Sequence, residues 1–203
     1  MNMITTVSKY DPPVENTNDR NQWRKNPPRG RGRAVTCFTP GTAITTLSGK
    51  RLVEDLKQGD RILTRDRGFQ PLLWAGRREL SVASVVHDEG LCPVRIKAGT
   101  LGPSLPDRDL VVSPGHRFLT TEKTLVDSIG ESECLIQACD LLGKPGIDKA
   151  PAKTITYIHL LFDQHELILS DNAWSESYHL GESTNGCQVQ PLARKCVGRR
   201  VLN

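Results

Sequence analysis

The sequence predicts an all-β domain, on three observations. From Cys37 onward the chain is a succession of short apolar segments, each closed by turn residues such as Gly, Pro, Ser and Asp. A single stretch longer than one turn carries a helical stripe. No apolar run approaches the roughly 18 residues a membrane-spanning helix needs. Composition agrees: 203 residues allow one domain of ordinary size with tails, and 37% hydrophobic and 25% charged residues suit a soluble globular protein with polar flanks. The formal net charge of +4 permits acidic partners without requiring them.

Taken in order, residues 1–36 read as a disordered polar and basic arm, combining "DPPVENTNDRNQ" with "RKNPPRGRGR" and showing no helical or strand period. Its basic residues Arg24, Lys25, Arg29, Arg31 and Arg33 could touch phosphates, yet Trp23 alone offers stacking, so a nucleic-acid role has little support. Then follow "TAITTL" with the turn "SGK", "DRILTR" with the turn "DRG", "PLLWAGRREL", "CPVRIKA", "DLVVS", "HRFLT", "KTITYIHLLF" and "ELILS", all read as strands. "EDLKQG" between Glu54 and Gly59 reads as one helical turn. "SECLIQACDLLGK" (132–144) is the helix candidate, with Leu135, Ile136, Cys139 and Leu142 near one stripe. Ile44, Leu52, Ile62, Leu63, Val111, Phe118, Leu160 and Phe162 are the expected core. Residues 182–203 return to polar and basic composition and read as a weakly ordered tail.

The N-terminus lacks the apolar core of a cleavable signal peptide, which leaves the compartment open between the cytoplasm and export by a non-classical route. The six cysteines (Cys37, Cys92, Cys134, Cys139, Cys187 and Cys196) define no disulfide framework, and none shows Cys-x-x-Cys spacing. No metal or other cofactor is expected.

Cys37 stands out by position. In "RAVTCFTPGTAITTL" it lies at the junction between the polar arm and the first strand, directly before a Thr-Pro-Gly turn. A structural cysteine would sit more naturally inside a strand, whereas a nucleophile acting on the peptide bond behind it would sit here.

Three stretches together resemble the Hint domain, the fold shared by inteins and the autoprocessing domain of Hedgehog proteins. They are "CFTPGTAITTLSGKRLVEDLKQGDRILT" (37–64), "DLVVSPGHRFLTT" (109–121) and "TYIHLLFDQHELILSDNAWSESYH" (156–179). The chain is more closely similar to a bacterial Hint family that begins with Cys-Phe and carries a Ser-Pro-x-His motif. The resemblance spans Cys37 to about Gly181, giving a domain at 37–181. It implies a flat, mostly antiparallel β fold with two related halves, one or two short helices, and its N-terminus near the centre.

The resemblance also implies an N-to-S acyl shift, in which the Cys37 thiol attacks the Thr36 carbonyl and turns the Thr36–Cys37 amide into a thioester. A free thiol, with its pKa of about 8.5, would supply the nucleophile without a strongly perturbed environment. Expulsion of the amide nitrogen then limits the step, because that nitrogen must gain a proton. His116 in "SPGH" is expected to deliver it, with Ser113 hydrogen-bonding at the same peptide; read alone, the pair is an ordinary loop histidine and hydroxyl. His159 stands where many inteins hold an aspartate or cysteine, and reads either as catalytic or as a hydrogen-bonded core histidine. His165 matches an intein histidine that helps cyclise the final asparagine, or belongs to a surface charge cluster with Asp163 and Glu166. The place of that asparagine falls at Ser177, which has no side-chain amide, so full splicing is not expected. Asn185-Gly186-Cys187 is a weaker candidate for that role, since a threonine precedes it.

Two functional readings follow. One is autoproteolytic cleavage or acyl transfer at Thr36–Cys37, with the chain's own N-terminal segment as substrate, water, a thiol or an amine as acceptor, and a monomeric state. The other is a silent Hint-like module that serves in binding or secretion.

Overall fold

The computed structural model describes residues 36–81, 91–123, 126–127, 132–150, 154–178 and 190–191. Nearly all of the expected arm, most of the expected tail, and Cys187 and Cys196 lie outside the described residues. Among the described residues the strands are β1 (Ala43–Thr46), β2 (Gly49–Leu52), β3 (Arg61–Thr64), β4 (Gly68–Pro71), β5 (Trp74–Ser81), β6 (Val94–Ile96) and β7 (Leu110–Val112). They continue with β8 (Arg117–Thr120), β9 (Cys134–Gln137), β10 (Ile147–Lys149), β11 (Thr154–Leu161), β12 (Leu167–Ser170), β13 (Ala173–Glu176) and β14 (Gln190–Pro191). Single 3-10 turns occupy Val53–Asp55 and Ala138–Leu141. No helix among the described residues is long and apolar enough to cross a membrane.

Three antiparallel sheets result. The largest runs β14-β9-β8-β13-β12-β1-β3-β4, with β2 added on β1; β10-β6-β7 forms a second; β11 and β5 pair over their whole length as a third. Tight turns fix the hairpin registers. Thr64 pairs with Gly68 across a three-residue loop, and Gly68 adopts φ 65°, the left-handed position such a loop requires.

Strand alternation divides the interior in two. Ile158 and Leu160 on one face of β11, followed by Phe162, join the main core with Phe38, Ile44, Ile62, Val112, Phe118 and Ile168. Ile155 and Tyr157 on the opposite face pack with Leu80 of β5 and with Cys37 in a smaller cluster. Phe38 joins the sheets: it bridges Val112 of β7 on one side and Ile158 of β11 on the other. Reciprocal backbone bonds of 2.9 and 2.8 Å tie Phe38 to Ile158, and Ser113 N–H donates to the Cys37 carbonyl at 3.1 Å. The residue after Cys37 is thus pinned where two sheets meet.

Four expectations need correction. Residues 132–144 form β9 and a 3-10 turn, not a helix. All of Cys134–Gln137 is buried, and a strand covered on both faces shows the apolar run that was read as a helical stripe. The turn near Glu54 begins one residue earlier, at Val53. Leu52 ends the added strand β2 and is 38% exposed. Leu63 and Val111 are half-buried, since Ile62 and Thr64, and Leu110 and Val112, take the inward positions of their strands.

Candidate active site

Cys37 does not itself open a strand; β1 starts at Ala43. Its side chain is 3% exposed and packs in the smaller cluster with Leu80, Ile155 and Tyr157. Burial pushes the thiol well above its ordinary range, against the pull of the Ser113 hydroxyl and the Arg78 guanidinium. A thiolate is therefore scarce, contrary to the expectation of an unperturbed nucleophile.

The Thr36–Cys37 peptide is held at both ends. The N–H of Cys37 donates to Ser113 Oγ at 2.9 Å. The carbonyl oxygen of Thr36 lies 3.1 Å from His159 Nδ1. The same imidazole lies against the sulfur, with Cys37 Sγ 3.4 Å from Nδ1 and 3.6 Å from Nε2. Near-equal distances put the sulfur off the lone-pair axis of either nitrogen. Alternation along β11 causes this placement, because Tyr157, His159 and Leu161 project from one face. The Tyr178 ring sits 5.0 Å from His159, and Trp74 sits 6.4 Å from Tyr178. Burial lowers the His159 pKa to about 4; its bond to the Thr36 backbone raises it, and Arg78 lowers it further. The ring is neutral at pH 7.

His116 ends the Ser-Pro-Gly-His turn beside Phe38. Its backbone N–H closes the Ser-Pro-Gly-His turn on the Ser113 carbonyl at 3.0 Å. The ring is fully buried, edge-on to Phe38 at 4.5 Å between centroids and 5.1 Å from Phe118. Neither ring nitrogen makes a well-formed hydrogen bond, although the Cys37 backbone is close enough to raise the pKa. Burial dominates and lowers that pKa to about 3, with Glu176 and Cys37 opposing and His159 assisting. With that shift His116 is a neutral imidazole at physiological pH.

His165 lies just before β12, and its Nε2 is 2.7 Å from Glu176 Oε1. It does not join a charge cluster with Asp163 and Glu166, because Asp163 is exposed while Glu166 is buried and paired with Arg67. Ser177 uses its hydroxyl to accept the Glu166 N–H at 2.9 Å.

Glu176 and Arg117 were not foreseen. Both are 3% exposed, and Arg117 Nη1 donates to both Glu176 oxygens at 3.0 and 3.2 Å. The Thr36 hydroxyl donates to Glu176 Oε2 at 3.2 Å. Burial pushes the Glu176 carboxyl up, but His165, Arg117 and His116 together bring it below the usual carboxylate range. An ionisable pair in a strand-rich sequence reads as solvent-facing. No local signal marks the pair, because register brings it together: Phe118 pairs with Ser175, which puts Arg117 opposite Glu176 on the next rung.

Cys37, Ser113, His159 and Thr36 thus meet at one peptide bond, the His116 ring lies against the adjoining Phe38, and His165 shares Glu176 with the Thr36 hydroxyl. Of the remaining described cysteines, Cys92 and Cys134 are free thiols, and Cys139 Sγ donates to Gln137 Oε1 at 3.6 Å. Among the described residues no cluster of His, Cys, Asp and Glu could hold a metal ion.

The family described as Hint domain matches residues 36–182. No curated relative matches the chain. Among solved structures, a bacterial intein-like domain from Clostridium thermocellum is similar at 15% identity and a TM-score of 0.46, over 70% of this chain and 97% of that one. The gp41-1 intein is similar at 12% identity and a TM-score of 0.41, over 71% and 98% of the two chains. The MchDnaB-1 intein is similar at 11% identity and a TM-score of 0.42, over 69% and 98%. With an all-β fold built of antiparallel sheets and a family match over well more than half its length, the chain belongs to the Hint domain family.

Proposed function

We propose that the domain cuts its own chain between Thr36 and Cys37 through a thioester. The observation that carries this reading is the two-ended grip on that peptide, Ser113 on its N–H and His159 on its carbonyl oxygen. Neutral His159 donates Nδ1–H to the Thr36 oxygen, and Nε2 takes the thiol proton once the sulfur has moved from its resting place onto that nitrogen's lone-pair axis. Sulfur attacks the Thr36 carbonyl carbon as that proton leaves, which solves the scarcity of thiolate: ionisation and attack occur together. The oxyanion that develops faces a newly formed imidazolium, a favourable pairing in a site with little water.

Collapse breaks the C–N bond and forms the thioester. The balance is one C–S bond made, one C–N bond broken and one proton moved from sulfur to nitrogen, with no change of oxidation state. His116 serves the last transfer as a neutral relay: it takes at one ring nitrogen the proton that His159 received from sulfur and gives one from the other to the departing Cys37 nitrogen, so both imidazoles end neutral. Water, a thiol or an amine then takes the acyl group, releasing the segment that ends at Thr36. Cleavage is favoured over splicing because Ser177, at the position of a cyclising asparagine, carries a hydroxyl already engaged with Glu166.

The silent-module reading draws on the same burial, which raises the Cys37 pKa and removes the sulfur from solvent. Incubating the full chain with dithiothreitol and weighing the products separates the two. Self-cleavage yields fragments ending at Thr36 and starting at Cys37, and Cys37→Ala abolishes both. An uncut wild-type chain under these conditions means a silent module.

A further inference from the structure

We propose that Glu176 selects the residue preceding the cleaved bond, requiring a hydroxyl donor at position 36; this rests on the self-cleavage reading above. The carboxylate is buried, and its oxygens face donors on several sides. Oε1 receives Arg117 Nη1 at 3.0 Å and lies 2.7 Å from His165 Nε2. Oε2 receives Arg117 Nη1 at 3.2 Å and the Thr36 hydroxyl at 3.2 Å. Arg117 and His165 belong to the domain, whereas Thr36 belongs to the segment that would be released. The domain therefore holds one half of a hydrogen bond whose other half arrives with the substrate.

Selectivity follows from what each side chain would leave at Oε2. Serine keeps the donor. Valine has the shape of threonine but sets a methyl group against a charged oxygen that water cannot easily reach. Aspartate or glutamate would meet a second carboxylate. A site built to bond a hydroxyl discriminates strongly against the analogue that lacks it. The effect extends to the reacting atoms because threonine is stiff at χ1, so fixing its Oγ1 also fixes the backbone that presents the carbonyl to His159. Glu176 acts in this as a positioning residue.

The test compares Thr36→Ser and Thr36→Val, each with Glu176 and with Glu176→Gln, by dithiothreitol-induced cleavage rate. A hydrogen bond to a charged group predicts cleavage roughly 10- to 100-fold slower for Thr36→Val, with Thr36→Ser within about threefold of wild type. In the Glu176→Gln background the gap between Val and Thr shrinks several-fold. A readout independent of cleavage uses Cys37→Ala, which cannot react: amide hydrogen exchange at position 37 reports whether the peptide stays seated on Ser113. Exchange stays slow with Thr or Ser at position 36 and accelerates about tenfold or more with Val. Equal cleavage rates for Ser and Val, or equal exchange for the two, overturn the proposal. If no chain cleaves, wild type included, the self-cleavage reading fails and the exchange comparison alone decides whether Glu176 reads position 36.

Discussion

The Nδ1 of His159 lies 3.1 Å from the carbonyl oxygen of Thr36, while the same ring touches the Cys37 sulfur at 3.4 to 3.6 Å. One side chain thus meets both the electrophile and the nucleophile of the proposed reaction. His116, by contrast, is sealed between Phe38, the residue after Cys37, and Phe118. In the proposed reaction His159 would serve the attack and His116 the leaving nitrogen, and neither would need a charge to begin.

Replacing His159 tests this division. His159→Ala removes the proton acceptor and the carbonyl donor together, and should slow thiol-induced cleavage by about 10²–10⁴. His159→Gln keeps an amide donor for the carbonyl and should recover part of that loss. Cleavage rates by mass spectrometry give the comparison; an unimpaired His159→Ala would assign both tasks elsewhere.

Ser113 is the second grip. Ser113→Ala leaves the buried Cys37 N–H without its 2.9 Å acceptor, which costs about 1–3 kcal/mol of folding stability. Urea denaturation of that variant in a Cys37→Ala background, where no cleavage intervenes, measures the cost. Ser113→Thr should restore most of it.

Acid should destabilise the domain before its carboxylates titrate. Unfolded, His116 and His159 bind protons as pH falls through about 6.5. Folded, they stay neutral down to about 3 and about 4. The unfolded state then holds more protons over that window, so stability is full above about 6.5 and is lost as pH falls toward 4. The lowered carboxyl of Glu176 extends the loss at still lower pH. Denaturation midpoints at pH 7.5 and pH 5 check the sign, with the lower midpoint expected at pH 5.

Gly76 makes room for the aromatic group beside His159. A Cβ at this position would fall 1.8 Å from the Trp74 ring, so Gly76→Ala forces the indole off the face of β5. Gly76 pairs with His159 in the β5–β11 register, which places the disturbance next to the active imidazole. The expected cost is about 1–3 kcal/mol of stability, with a change in Trp fluorescence. An unaltered spectrum would mean the ring has somewhere else to go.

The succession of short strands was legible in the sequence because alternation and turn chemistry are local signals, whereas the meeting of Cys37 with the Ser-Pro-Gly-His turn was expected only from the resemblance to Hint domains. Ile158 and Leu160 facing one way and Tyr157 and His159 the other could be read from "TYIHLL" alone. What stayed hidden depends on neighbours. Burial of β9 on both faces turned a strand into an apparent helical stripe, and the added position of β2 left Leu52 in solvent. Glu176 and Arg117 went unmarked in the sequence, and the pairing of β8 with β13 puts them opposite each other. The protonation of both histidines followed from desolvation, which no residue spacing encodes.

Trapping with hydroxylamine tests the central claim most directly, because the reagent captures an acyl group wherever the thioester forms. Treated at neutral pH and weighed intact, the folded chain should give a fragment ending in a hydroxamate at Thr36 and a domain beginning at Cys37, with neither from Cys37→Ala. A folded wild-type chain that keeps its full mass throughout would contradict attack of the Cys37 sulfur on the Thr36 carbonyl.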